Sequence, residues 1–214
     1  MQIGVVGLGR MGGNMARRLA RSGARVVAWD RDAGAREALS AEPGVSTVEN
    51  LPALCASLGG ERVLLLMLPA GEATHEAIGQ LAGLASAGDT LVDGGNAFYK
   101  DSMRRALELS QQGLRFVDLG VSGGVHGLAN GYCLMLGGTP ASVERFEPFA
   151  RLLAPAPDRG WLHCGPSGAG HYAKMIHNGI EYGMMQALGE GFALLAARED
   201  FGFDLGRLAE TWRH

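Results

Sequence analysis

The sequence predicts an α/β protein: a doubly wound, mostly parallel sheet, followed by a long helix that begins an all-α second domain. Short apolar runs alternate with helical patterns from the N-terminus onward, as parallel strands joined by crossover helices require. The continuous apolar run Arg62–Leu68 suits a strand covered on both faces. After Gly165 the alternation stops, and no strong turn signal interrupts the helical pattern from Ala169 to Arg198.

The elements follow in order. Ile3–Val6 reads as the first strand, Met11–Arg21 as its helix and Arg25–Trp29 as the second strand. Pro69, which has no N–H for a sheet ladder, stops the Arg62–Leu68 strand. Thr90–Asp93 and Arg115–Asp118 are further strands, each preceded by a helical stretch. Tyr132–Leu136 is another strand, Pro140–Leu153 a helix, and Arg159–Cys164 the last strand. The helix from Ala169 to Arg198 would extend about 45 Å at 1.5 Å per residue. That exceeds an ordinary globular helix and suits an element buried between two domains. Asp204 is placed to cap a following helix, Leu205–Trp212. The expected domains are residues 1–165 and 166–214.

Composition excludes several function classes. A length of 214 residues can bury one full core and begin a second unit. Net charge is −3 with the basic residues scattered, so neither nucleic acid nor an anionic membrane is expected as partner. No apolar run reaches the roughly 20 residues of a membrane span. The strand pattern begins at Gln2 and leaves no signal peptide, which points to the cytoplasm. Cys55, Cys133 and Cys164 match no zinc or redox spacing and are expected to be buried, reduced thiols. No metal site is expected.

Two motifs follow strands at the expected sheet edge. Gly7-Leu8-Gly9-Arg10-Met11-Gly12 leaves the first strand and opens a helix. Its glycines permit a tight turn and close approach to a pyrophosphate, which the helix N-terminus favours. Asp30 ends the second strand, where a carboxylate can accept hydrogen bonds from both ribose hydroxyls and repel a 2′-phosphate. A Rossmann-like domain binding NAD or NADP is expected, with NAD favoured. Arg31 pulls toward NADP because a guanidinium can grip that phosphate, whereas Asp32 adds negative charge. Both also fit solvated residues starting a helix. Further on, Asp93-Gly94-Gly95-Asn96 puts Asn96 at the carboxyl end of the sheet as a ligand contact, a helix cap, or both. Ser122, Gly123 and Gly124 offer a hydroxyl beside open backbone N–H groups, a nest suited to a carboxylate.

The long helix carries the chemistry. Lys174, His177, Asn178 and Glu181 fall at i, i+3, i+4 and i+7, one face of a 3.6-residue helix. Met175, Ile176, Ile180, Met184, Met185 and Leu188 surround them, so the helix reads as buried. Burying amine, imidazole, amide and carboxylate together is costly unless they line a wet cavity. A proton acceptor and a proton donor about two turns apart would suit a small polar substrate.

These residues together resemble the 6-phosphogluconate dehydrogenases, within the wider β-hydroxyacid dehydrogenase group. The likeness rests on Gly7–Asn14, Asp93–Asn96 with Tyr99-Lys100-Asp101, Gly120–Val125, Gly131–Met135 and Gly168–Glu190. It implies oxidative decarboxylation of 6-phospho-D-gluconate to ribulose 5-phosphate. By resemblance, Lys174 in neutral form takes the C3 hydroxyl proton, and Glu181 donates a proton to C1 of the enediol. His177, Asn178, Asn96 and Ser122 would orient the hydroxyls and carboxylate, Gly123 and Gly124 completing that turn, and Tyr182 would reach the phosphate. Asp30-Arg31-Asp32 stands where NADP-using members carry Asn-Arg-Thr, resembling the short NAD-preferring branch. His126 replaces a common tryptophan. Family members continue beyond His214 with helices that supply phosphate ligands and dimer contacts. A homo-oligomer is therefore expected at full length, and poor turnover from these 214 residues alone. A 3-hydroxyisobutyrate-type dehydrogenase and a non-catalytic nucleotide-binding module are the alternative readings.

Overall fold

Alternation of side chains along the strands builds the sheet into the middle of the first unit. In a computed structural model describing residues 1–214, eight strands form one sheet: β1 (Gln2–Val6), β2 (Arg25–Trp29), β3 (Val45–Thr47), β4 (Val63–Leu66), β5 (Thr90–Asp93), β6 (Arg115–Ser122), β7 (Cys133–Gly138) and β8 (Trp161–Gly165). Their spatial order is β3-β2-β1-β4-β5-β6-β7-β8. All neighbours run parallel except β6 and β7, which are antiparallel. This is the expected doubly wound α/β architecture, with the chain reversing its direction of travel across the sheet between β1 and β4.

Strand β4 shows why both faces are covered. Val63 and Leu65 join the core under α1 (Arg10–Arg21), α2 (Ala33–Ser40) and α7 (Pro140–Leu153). Leu64 and Leu66 join the opposite core under α3 (Leu51–Ala56), α4 (Glu72–Leu84) and α5 (Tyr99–Ser110). A strand with two buried faces has no polar alternation to show, which accounts for its uninterrupted run of apolar residues. The short β3 and α3 carry too little periodicity to be placed from sequence. After β6 a 3-10 turn (Gly124–His126) leads into α6 (Gly127–Asn130).

The long helix α8 (Ala169–Ala197) forms as expected, and α9 (Leu205–Thr211) follows with Asp204 as its cap, Oδ1 accepting from Arg207 N at 3.0 Å. Contacts divide the chain into units Met1–Lys174 and Met175–His214, so the division falls within α8. The expected burial of this helix is not observed: Ile180, Met184, Met185 and Leu188 are all more than half exposed. The apolar pattern reports a surface suited to burial, but these 214 residues cover only the first turns, where Gly170 and His171 are buried, and a stretch near the C-terminal end. There Leu188, Phe192, Leu195, Phe201, Phe203 and Trp212 surround an apolar groove. The cysteine expectation also needs correction, since Cys55 is buried but Cys133 is exposed at the start of β7. No helix is long and apolar enough to cross a membrane.

Candidate active site

The crevice where the strand order reverses is open at the carboxyl ends of β1 and β4, the place where ligands bind in such sheets. A cavity of about 780 Å³ lies there. Gly7, Gly9, Arg10, Met11 and Gly12 of the first turn line it, together with Asp30, Arg31 and Asp32 after β2. Leu8, inside the same turn, is buried. A β-carbon on Gly12 would collide with the carbonyl oxygen of Gly7, so this helix start can pack against the strand end only as glycine. The resulting cradle presents the N-terminus of α1, with no side-chain cap, toward the cavity.

Asp30 fixes the cradle and keeps capacity for a ligand. Its Oδ2 accepts from Leu8 N at 2.6 Å and its Oδ1 from Asp32 N at 2.9 Å. A carboxylate offers about four acceptor positions, so both oxygens can still receive ribose hydroxyls. Asp32 also caps α2, its Oδ1 accepting from Gly34 N at 2.9 Å, while Arg31 is exposed on the rim. The opposite wall was not foreseen. Ala73, Glu76, Ala77 and Gln80 occupy i, i+3, i+4 and i+7 of α4 and line the cavity with two methyl groups, a carboxylate and an amide.

At the next strand ends, Gly94, Gly95 and Asn96 reach the same cavity. Asn96 is exposed and does not cap α5, which begins at Tyr99 without a side-chain cap. The turn is held from below. Buried Asp93 accepts from Gly95 N through Oδ1 at 3.1 Å and from Arg105 Nη1 through Oδ2 at 2.9 Å. Ser122 ends β6 half-buried, and the following Gly123 and Gly124 have φ of 123° and 52°, the successive positive values of an open glycine turn. Val121 lines the cavity just before them.

Lys174 lies half-buried against β6. A β-carbon on Gly120 would sit 2.6 Å from Lys174 Cβ, and one on Gly170 would meet the carbonyl oxygens of Met135 and Asp118. Glycine on both sides thus lets the first turns of α8 lie directly on the strands. Asp118, fully buried, accepts from Gly168 N at 2.6 Å and His171 N at 2.9 Å, a favourable partner for a helix N-terminus. Neither Asp118 nor Arg105 stood out in sequence, because their partners lie 50 and 12 residues away.

In the second unit, His177, Glu181 and Tyr182 are exposed on α8 and Asn178 is half-buried. His177 Nδ1 lies 3.7 Å from Glu181 Oε2, the i,i+4 approach that a shared helix face produces. No cluster of His, Cys, Asp and Glu could hold a metal.

Known proteins share this arrangement. Residues 2–158 match the NAD binding domain of 6-phosphogluconate dehydrogenase, and residues 170–214 match the C-terminal domain of the same enzyme. The NAD(+)-dependent, decarboxylating 6-phosphogluconate dehydrogenase of Haloferax volcanii is 41% identical over all 214 residues, which span 70% of its length. The decarboxylating enzyme of Escherichia coli is 40% identical over 91% of the chain and is spanned for 43% of its own length. Among solved structures, Plasmodium falciparum 6-phosphogluconate dehydrogenase superposes over the whole chain with a TM-score of 0.90 and 27% identity; the chain spans 47% of it. That protein was studied with NADP+ and with 6-phosphogluconate. Mycobacterium tuberculosis 3-hydroxyisobutyrate dehydrogenase gives a TM-score of 0.82 at 27% identity, over 94% of this chain and 66% of its own. The likeness runs through both the glycine cradle and the long helix, and it places this chain in the 6-phosphogluconate dehydrogenase family of NAD(P)-dependent oxidoreductases.

Proposed function

We propose that the protein oxidatively decarboxylates 6-phospho-D-gluconate to ribulose 5-phosphate and CO2, using NAD in preference to NADP. The observation that carries this reading is the seat of Lys174. Its Cβ and Cγ lie over Gly120, two residues before Ser122 and one before Val121, which lines the dinucleotide cavity. Residues 1–165 hold the dinucleotide in this reading, and residues 166–214 carry substrate and dimerisation residues of a cytoplasmic homo-oligomer.

The nicotinamide, when bound, supplies the hydride acceptor for C3. Lys174 in its neutral form takes the proton of the C3 hydroxyl and returns one to the carbonyl oxygen as CO2 departs. Glu181 then delivers a proton to C1 of the enediol. Asn96, Ser122, Gly123, Gly124, His177 and Asn178 orient the hydroxyls and carboxylate, and Tyr182 meets the phosphate. The residues fit the dinucleotide: Gly9, with open space where a side chain would stand, leaves room for a pyrophosphate at the N-terminus of α1, and Asp30 retains acceptor positions for both ribose hydroxyls. A 2′-phosphate would meet Asp30, with Asp32 and Glu76 also lining the cavity, against Arg10 and Arg31. The Haloferax volcanii relative is NAD(+)-dependent by name, which agrees with that balance.

Initial rates with 6-phosphogluconate and 3-hydroxyisobutyrate, each with NAD and NADP, test the reading. Phosphogluconate with NAD should be fastest, and Lys174→Ala or Glu181→Ala should lower kcat by about 10²–10⁴-fold. Preferential oxidation of the unphosphorylated acid, or near-normal turnover by either variant, would sink the assignment.

A further inference from the structure

Nine polar or charged residues of the chain are buried, and five of them, Asp93, Ser102, Arg105, Asp118 and His171, occupy one layer between α5 and its neighbours. Ser102 and Arg105 are i and i+3 on α5 and so share its buried face. Arg105 reaches the Asp93–Asn96 turn through the 2.9 Å contact with Asp93. Ser102 Oγ reaches the start of α8, 2.7 Å from His171 Nδ1. His171 N and Gly168 N are in turn held by Asp118. The same helix start is closed by packing: a β-carbon on Gly168 would lie 2.7 Å from Met103 Cγ, and the Tyr99 and Tyr172 rings meet edge-on at 5.0 Å.

We infer that Ser102 and Arg105 are positioning residues which, from one face of α5, hold the Asn96 turn and the first turns of α8, with Lys174, in a fixed mutual arrangement. This deepens the catalytic reading above and rests on it where turnover is concerned. The layer is costly to bury, and Arg105 Nε and His171 Nε2 have no hydrogen-bond partner. Apolar side chains of similar volume would serve stability at least as well. What they would not do is tie the two backbone segments through directional contacts, which add a defined orientation to the distance that packing sets. Lys174 follows His171 by three residues on the same helix, so the Ser102 contact locates it one turn away.

The test compares Ser102→Ala and Arg105→Lys with the wild-type protein by residue-resolved amide hydrogen exchange. The reporting amides are Gly95, Gly168 and His171, each donating to a buried carboxylate of the layer. Each variant should speed exchange at all three by about tenfold, while amides of β1 and β2 keep their wild-type rates. Ser102→Ala loosening only Gly168 and His171, and Arg105→Lys only Gly95, would overturn the shared brace. So would a uniform rise that includes β1 and β2. Should Arg105→Lys fail to fold, Ser102→Ala decides alone through Gly95. In turnover, both variants should lower kcat by up to about a hundredfold with KM for NAD within about twofold. Unchanged kcat in an active wild-type background would also overturn the proposal. A wild-type protein that oxidises no sugar acid would count against the function, and the exchange pattern would still decide the brace.

Discussion

The two edges of the sheet use carboxylates in opposite ways. At the amino edge, Asp89 is buried and takes three protein donors: Oδ1 accepts from Arg62 N at 2.7 Å, and Oδ2 from Arg62 Nε and Ser86 N, both at 2.8 Å. Arg62 also donates to the Leu84 carbonyl oxygen at 3.0 Å. Burial pushes the Asp89 carboxyl upward, but those hydrogen bonds outweigh it and hold the group below the usual aspartate range. At the carboxyl edge, half-buried Asp30 receives one backbone N–H on each oxygen and keeps further acceptor positions beside the cavity. A carboxylate whose acceptors are filled by the protein stabilises the fold. One left partly unfilled at a crevice is available to a ligand.

The largest effect should come from breaking the buried Arg62–Asp89 pair. Arg62→Met leaves Asp89 buried without its partner and should destabilise the first unit by about 3–5 kcal/mol, read by denaturant unfolding. At temperatures where that variant remains folded, NAD affinity should be unchanged, and loss of affinity there would erase the contrast. Acid adds a second readout of the same pair. Because the folded-state value of Asp89 is depressed, its contribution is fully present above the ordinary aspartate range and lost as pH falls through the folded value. Asp89→Asn should therefore flatten the acid limb of the stability profile.

A smaller and opposite result is expected at the other edge. Asp30→Asn keeps one acceptor for Leu8 N but removes the charge, and should cost about 1.5–3 kcal/mol of NAD binding, measured by calorimetry. NADP should lose less or gain, since the repulsion toward its 2′-phosphate is relieved. Equal losses for both dinucleotides would show that Asp30 only shapes the turn. Smallest of all, Asp204→Ala removes the cap of α9 and should lower its stability by about 1 kcal/mol, seen as faster amide exchange at Arg207.

These contrasts also separate what the sequence states locally from what it leaves to the fold. Gly7–Gly12, Asp30, Asp93–Asn96 and the helical stripe beginning at Lys174 all declare themselves within a few residues. The filling of Asp89 does not, because Arg62 lies 27 residues away. Ser102 and His171 are 69 residues apart, and nothing in either neighbourhood names the other. The α4 wall fails for a different reason: Ala73, Glu76, Ala77 and Gln80 form a visible stripe, but only the strand order shows that it faces a crevice. For α8 the apolar pattern marks a face that stays largely exposed, since periodicity describes a face and not what lies against it.

The glycine contacts beneath Lys174 have one more consequence. With Gly120 under its β-carbon and Gly170 against the Met135 and Asp118 carbonyls, α8 rests on main chain rather than on a cushion of side chains. Side chains change rotamer and tolerate exchange, whereas main-chain thickness is the same in every sequence. The height of the lysine above the strands is thus set by the gauge of the polypeptide itself. Drift in the surrounding core can retune stability without lifting the amine, but one methyl group added at that seam would move it at once.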